Sequence, residues 1–271
     1  MVRQLNTFIS FVGILPSQGL FHAICVTLCI NGFIACQGGN DKNALSFSSG
    51  SAAPILLFNG TGVSSNDVAA IQKILKSNHL SYSTLNSSVL NRMIPSDLAK
   101  FRLIIFPGGN FVVMGNGLTK SGADNIRLAV QHGLNYLGIC AGAFLAGDSP
   151  YYNGFNLTSG ARFDFYTAEN QGLHIASLPI RSPDVPTLDQ YWEDGPQLSG
   201  WGLVVAKYPD DRPAVTEGKC GNGYVFLAGI HAEAPAAWRQ GLNFNTSAST
   251  DNAYAVKLIT AACNGVLLSH Y

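Results

Sequence analysis

Charge is scarce in this chain. Only 12% of its 271 residues are Asp, Glu, Lys or Arg, against about 25% in an average soluble protein. The 16 basic and 16 acidic side chains cancel. No basic stripe gathers along the sequence, so a polyanion finds no footing and nucleic acid is excluded as an expected partner. No Cys-x-x-Cys pair or His/Cys ligand spacing occurs, which argues against a structural zinc and leaves the expected metal set as none. A phosphate loop and a dinucleotide fingerprint are also missing, so no cofactor is implied. Long apolar runs are few. The stretch from Gly19 to Ile30 is interrupted by His22 and followed by Asn31, which disfavours a permanent membrane-spanning helix.

The chain does have apolar residues in quantity, 47% of the total, enough for a substantial core. Residues 1–35 carry one charge, Arg3, and no acid. An apolar segment of this length near the N-terminus reads as a targeting leader. Ala35-Cys36 follows it, then a polar Gly/Ser-rich linker over 36–51. A small residue before a cysteine at this place resembles a bacterial lipobox. The expectation is an exported protein, periplasmic or tethered to a membrane through lipid on Cys36. Ordinary cleavage near Ala35 and an uncleaved anchor are the alternatives. Of the six cysteines, Cys220 and Cys263 remain outside the leader and the motifs discussed below. An exported protein can pair them, and two separate buried thiols are the other possibility.

Residues 52–271 read as one α/β domain. Ile55–Phe58 is a short apolar strand ended by Asn59-Gly60. Ser64 or Ser65 caps a helix whose Val68, Ile71, Ile74 and Leu75 recur at helical spacing. Strands are expected at 80–85, 103–106 and 136–139, with a helix over about 120–133. Fully apolar strands alternating with helices imply a parallel sheet covered on both faces. Beyond residue 150 the pattern turns to strands at 157–166, 174–180 and 202–207. A hairpin follows over 213–229 around Cys220-Gly221-Asn222-Gly223, and a final helix runs from about 251 to 263.

Three motifs carry chemistry. Gly138-Ile139-Cys140-Ala141-Gly142 has the form of a nucleophile elbow, with Cys140 at the apex between a strand and a helix. Phe106-Pro107-Gly108-Gly109-Asn110 ends a neighbouring strand. Sites in open parallel sheets gather at such strand ends, so the amides of Gly109 and Ala141 are candidates for an oxyanion hole. In His231-Ala232-Glu233, side chains two apart share a face of extended chain. Glu233 is then placed to hold one nitrogen of His231 while the other exchanges a proton with Cys140. An inert buried cysteine, a plain turn and a solvated strand end are the separate alternatives for the three.

Motif order and spacing resemble the class I glutamine amidotransferase-like superfamily across most of residues 52–271. More narrowly, Gly138–Phe144 together with Trp192-Glu193-Asp194-Gly195-Pro196 resembles the domain at the N-terminus of biotin–protein ligases. The resemblance implies a flavodoxin-like doubly wound, mostly parallel sheet with helices on both faces and a small antiparallel extension. It implies a Cys140–His231–Glu233 thiol hydrolase acting on a small-molecule or peptide amide or related acyl bond, with no protein partner identifiable. Biotin transfer is not implied, because no ligase domain is recognisable. Glutamine-using members usually carry Gln four residues after the nucleophile, and this chain has Phe144. Another branch places Glu near the end of the first strand, where Phe58-Asn59-Gly60 offers none. A non-catalytic ligand-binding module and a redox-sensitive thiol protein are the alternative functions. Trp192–Pro196, Arg162 and Glu169 are read either as specificity elements or as structure around a buried tryptophan.

Overall fold

The computed structural model describes residues 54–167 and 171–271. The leader, the linker, Cys36, Glu169 and the side chain of Arg162 lie outside the described residues. Among the described residues no helix is long and apolar enough to cross a membrane.

Four short strands, β1 (Ile55–Phe58), β2 (Tyr82–Leu85), β3 (Leu103–Phe106) and β4 (Asn135–Ile139), pair in parallel. The fifth parallel strand comes from much later in the chain, β11 (Gly223–Ala228) beside β4. The spatial order β2-β1-β3-β4-β11 is the flavodoxin-like order. β1 and β3 are wholly buried because both sheet faces are covered. Successive side chains alternate between two cores. Ile55, Leu57, Leu103 and Ile105 meet Val68, Ile71 and Ile74 of α1 (Ser65–Ser77) and Tyr254 and Leu258 of α7 (Ala248–Asn264). Leu56, Phe58, Ile104 and Phe106 face the other way, toward the remaining helices. These are α2 (Ser87–Leu90), α3 (Pro95–Leu98), α4 (Phe111–Asn116), α5 (Lys120–Gln131) and α6 (Ala141–Leu145).

The sheet continues past β11 with four antiparallel strands, in the order β10 (Pro213–Cys220), β9 (Leu203–Lys207), β6 (Ile175–Ser182) and β7 (Val185–Glu193). A two-residue turn, Gly221-Asn222, closes the expected β10–β11 hairpin. Strands β5 (Arg162–Phe165) and β8 (Pro196–Ser199) form a separate antiparallel pair.

Three expectations need correction. The strand expected over 157–166 is confined to β5, and the one over 80–85 begins at Tyr82. The segment between residues 180 and 200, where no strand was expected, holds the nine-residue β7 and all of β8. Of the two readings left open for Cys220 and Cys263, the structure holds separate thiols, Cys263 buried and Cys220 half-buried, and burial pushes the pKa of each up.

Candidate functional site

The segments that follow the parallel strands converge at one end of the sheet. After β4 the chain turns at Cys140, whose φ of 49° and ψ of −108° lie outside the regions a side chain favours. The turn is held on both sides. The Cys140 amide donates to the Ala228 carbonyl of β11 (2.8 Å), and the Gly142 amide donates to the Pro107 carbonyl (3.1 Å). A Cβ on Gly142 would strike the Phe106 carbonyl oxygen, so the elbow closes against β3 only with glycine there.

After β3, Gly109 adopts φ 144°, and Asn110 caps α4 by accepting from the Val113 amide (3.0 Å). Gly109 and Ala141 both line the same cavity as Cys140. Neither of their amide groups has an acceptor among the described residues. For Ala141 this is the usual unsatisfied N–H of a first helical turn.

After β11 come His231 and Glu233, both buried. The Glu233 Oε1 lies 2.9 Å from Nδ1 of His231. A second acid meets the same nitrogen: Oδ1 of Asp67 lies 3.1 Å away. Asp67 sits in the first turn of α1, which Ser64 caps by accepting from the Asp67 amide (3.3 Å). With Nδ1 turned to two carboxylates, Nε2 is the nitrogen left for Cys140. Burial pulls the basicity of His231 down, but the neighbouring Cys140, Glu233 and Asp67 outweigh it and hold the imidazole well above its usual pKa. The two acids diverge. Burial dominates at Glu233 and raises it. At Asp67 the burial cost is overcome by the hydrogen bond and charge of His231, and the net shift is downward. Asp67, His231 and Glu233 offer one oxygen–nitrogen–oxygen donor set within 4.8 Å. The Glu233 contact to Nδ1 is a hydrogen bond and the Asp67 contact an ion-pair approach, which reads first as support for the imidazole rather than as a metal seat.

The antiparallel extension completes the wall. The end of β7 docks on the loop after β11, with the His231 amide donating to the Tyr191 carbonyl (2.9 Å). The Cys140 thiol donates to the Glu193 carbonyl (3.4 Å), and the Tyr191 hydroxyl donates to Oε2 of Glu193 (2.9 Å). Trp238 and Tyr191 pack edge-on around the His231 ring. The Trp192–Pro196 segment divides in two. Trp192 is fully buried and donates to the Gly195 carbonyl (3.2 Å), whereas Glu193 and Asp194 line the cavity. The cavity holds about 420 Å³. Cys140, His231, Gly109 and Ala141 all line it, with Glu233 directly behind His231. Asp67, Tyr191 and Trp238 were not singled out in the sequence. Asp67 had one available signal: an acid just after the first strand, at the edge where the strand order reverses.

The five-stranded parallel sheet in flavodoxin-like order carries a cysteine elbow after the fourth of its strands in chain order. Residues 53–174 match the family model described as biotin-protein ligase, N terminal. The matched stretch contains Gly109, Cys140 and Ala141 and ends before His231. Among solved structures, an exo-beta-1,4-mannosidase from Opitutaceae bacterium strain TAV5 aligns at 15% identity and TM-score 0.52, over 76% of this chain and 36% of that one. This chain therefore spans about a third of the mannosidase. A putative GMP synthase subunit from Thermoplasma acidophilum aligns at 10% identity and TM-score 0.50, over 78% of this chain and 94% of that one. A glutamine amidotransferase from Thermotoga maritima aligns at 14% identity and TM-score 0.48, over 77% and 89%. The first two likenesses establish a shared fold and carry no activity across. No curated protein matches.

Proposed function

We propose that this protein is a thiol hydrolase of an amide or related acyl bond, with Cys140 as nucleophile, His231 as proton carrier and Glu233 as its positioning acid. One observation carries the reading. A cysteine in a strained elbow shares a cavity with a histidine whose far nitrogen is held by a buried carboxylate, and two unengaged amides flank it. In the first half-reaction the Cys140 thiol gives its proton to Nε2 of His231 as its sulfur attacks the carbonyl carbon, so the S–H bond breaks and a C–S bond forms. The carbonyl oxygen takes the charge and accepts from the Gly109 and Ala141 amides, each such donor contributing about 3 kcal/mol. The C–N bond then breaks as the Nε2 proton of His231 passes to the leaving amine. In the second half-reaction water gives a proton to His231, its oxygen attacks the thioester carbon, and the C–S bond breaks as His231 returns that proton to the sulfur, releasing acid and thiol. The apolar leader supports an exported location for this activity.

The test uses the 271-residue chain and a panel of primary and secondary amides, with product release followed by mass spectrometry. Turnover lost in both Cys140→Ala and His231→Ala, with thermal unfolding of each close to the parent, supports the reading. Turnover retained in Cys140→Ala ends it. A parent chain that binds amides without turning them over would make it a ligand-binding module.

A further inference from the structure

We infer that the substrate carries an aromatic or apolar group beside a cationic one, and not the carboxylate that marks glutamine. This deepens the thiol-hydrolase reading and rests on it. Two groups of residues lining the Cys140 cavity support it.

The first wall is aromatic. Phe111 from α4 stacks on Phe144 from α6 with ring centroids 4.3 Å apart. Phe165 from β5 closes on both, at 6.0 Å from Phe111 and 5.1 Å from Phe144. All three line the cavity, and Phe165 and Val112 remain partly exposed at its edge. Phe144 stands on the first turn after the nucleophile, so the apolar surface begins beside the reacting sulfur. Phe144 itself is buried behind the other two, Phe111 is half-buried and Phe165 is exposed, and an apolar edge left open to water beside a cavity is the usual mark of a surface that an apolar ligand covers.

The second wall is acidic. Glu193 and Asp194 line the cavity, no Lys or Arg among the described residues lines it with them, and the one basic ring there, His231, is already met by Glu233 and Asp67. The polar contact of the Glu193 carboxylate is the neutral Tyr191 hydroxyl. The Asp194 carboxylate meets the exposed His174 (2.9 Å). A further hollow of about 190 Å³ adjoins across Ser64, Asp67 and Glu193 and adds Tyr191 and Trp238. Glu193 therefore stands where the two lobes meet, beside the thiol that its own carbonyl accepts from. Such a wall attracts an ammonium or guanidinium and repels a carboxylate.

The test uses four chloroacetamides on the full chain: the parent compound, its N-benzyl derivative, and N-benzyl derivatives bearing a para aminomethyl or a para carboxylate group. Each rate of Cys140 alkylation, mapped by mass spectrometry, is divided by the rate of the same reagent with glutathione. The benzyl group should accelerate labelling, and the cationic reagent should exceed the anionic one by about tenfold or more at low salt, with the gap shrinking as salt rises. Phe144→Ala should remove the benzyl advantage and Glu193→Gln should narrow the cation–anion gap, each normalised to the parent reagent on the same variant. An anionic reagent as fast as the cationic one, or ratios unmoved by both variants, overturns the inference. The thiol reading is judged separately, by whether the parent compound labels Cys140 faster than Cys220 and Cys263. These ratios are readable even at an unactivated cysteine.

Discussion

Asp67 holds Oδ1 3.1 Å from Nδ1 of His231, from a different element and on a different side than Glu233. Two buried carboxylates thus compete for one N–H. Burial raises the Glu233 carboxyl, whereas at Asp67 the burial cost is outweighed by the hydrogen bond and charge of His231, and both acids support the proton on the ring. Asp67→Asn should therefore lower the proton affinity of His231, read as a downward shift of its ¹⁵N NMR titration. Because Oε1 of Glu233 remains within hydrogen-bond distance, the ring should keep its tautomer. Glu233→Gln should also lower the titration and should disturb the tautomer more. A titration unmoved by Asp67→Asn would make Asp67 a capping residue of α1 and nothing more.

Arg239 secures the segment that carries Trp238 against the His231 ring. Its guanidinium donates to Asp251 (2.6 Å) and to the carbonyls of Asp189 and Thr246, and Phe244 stacks over it at 3.6 Å. Both members of the ion pair are more than nine-tenths buried. Removing one partner strands the other charge in the interior, so Arg239→Ala should cost about 3–5 kcal/mol in urea unfolding. The double variant Arg239→Met/Asp251→Leu should recover most of that loss. A single-variant cost under about 1 kcal/mol would show that this pair behaves like a solvent-exposed one.

The parallel half of the fold was legible because its strands are buried on both faces. Ile55–Phe58 and Leu103–Phe106 are unbroken apolar runs that admit few other readings. The elbow and His231-Ala232-Glu233 were legible because their chemistry depends on local spacing. Strand β7 was hidden for two physical reasons. It lies at the sheet edge, where Pro186 is tolerated, and it buries Asp189 and Gln190 among its apolar residues. Asp67 was hidden because an acid three residues after a capping serine is what an ordinary helix start contains. Only the packing of α1 beside the loop after β11 gives it a second partner.

Glu217 on β10 is fully buried, and burial lifts its carboxyl from the ordinary 4.5 to about 7. Its Oε1 accepts from the Leu268 amide (2.8 Å) and so ties down the C-terminal tail. Between pH 4.5 and 7 the folded chain holds a proton that the unfolded chain has released. Stability is fully present below the unfolded value, falls as pH rises through this window, and the loss is complete above about pH 7. Glu217→Gln keeps an acceptor for Leu268 and removes the titration. The melting temperature of the parent relative to this variant should therefore decline from pH 4.5 to 7 and level off above. A difference that does not change with pH across that range would mean the carboxyl titrates alike in both states.

Strain at Cys140 predicts an inversion of the usual order of small residues. Its φ of 49° with ψ −108° is a conformation that a Cβ resists and glycine accepts. In ordinary backbone, glycine is the less stable replacement, by about 0.5–1 kcal/mol against alanine in a regular element. Here Cys140→Ala removes the thiol and keeps the strain, whereas Cys140→Gly removes both. The glycine variant should be the more stable of the two by about 1–3 kcal/mol, measured by urea unfolding of both. The backbone hydrogen bonds on either side, from the Cys140 amide to the Ala228 carbonyl and from the Gly142 amide to the Pro107 carbonyl, impose the same path on either variant. An alanine variant as stable as the glycine variant would mean that the elbow relaxes when its side chain shrinks. The strain would then belong to the cysteine's own contacts, chief among them the thiol's bond to the Glu193 carbonyl, and not to the backbone.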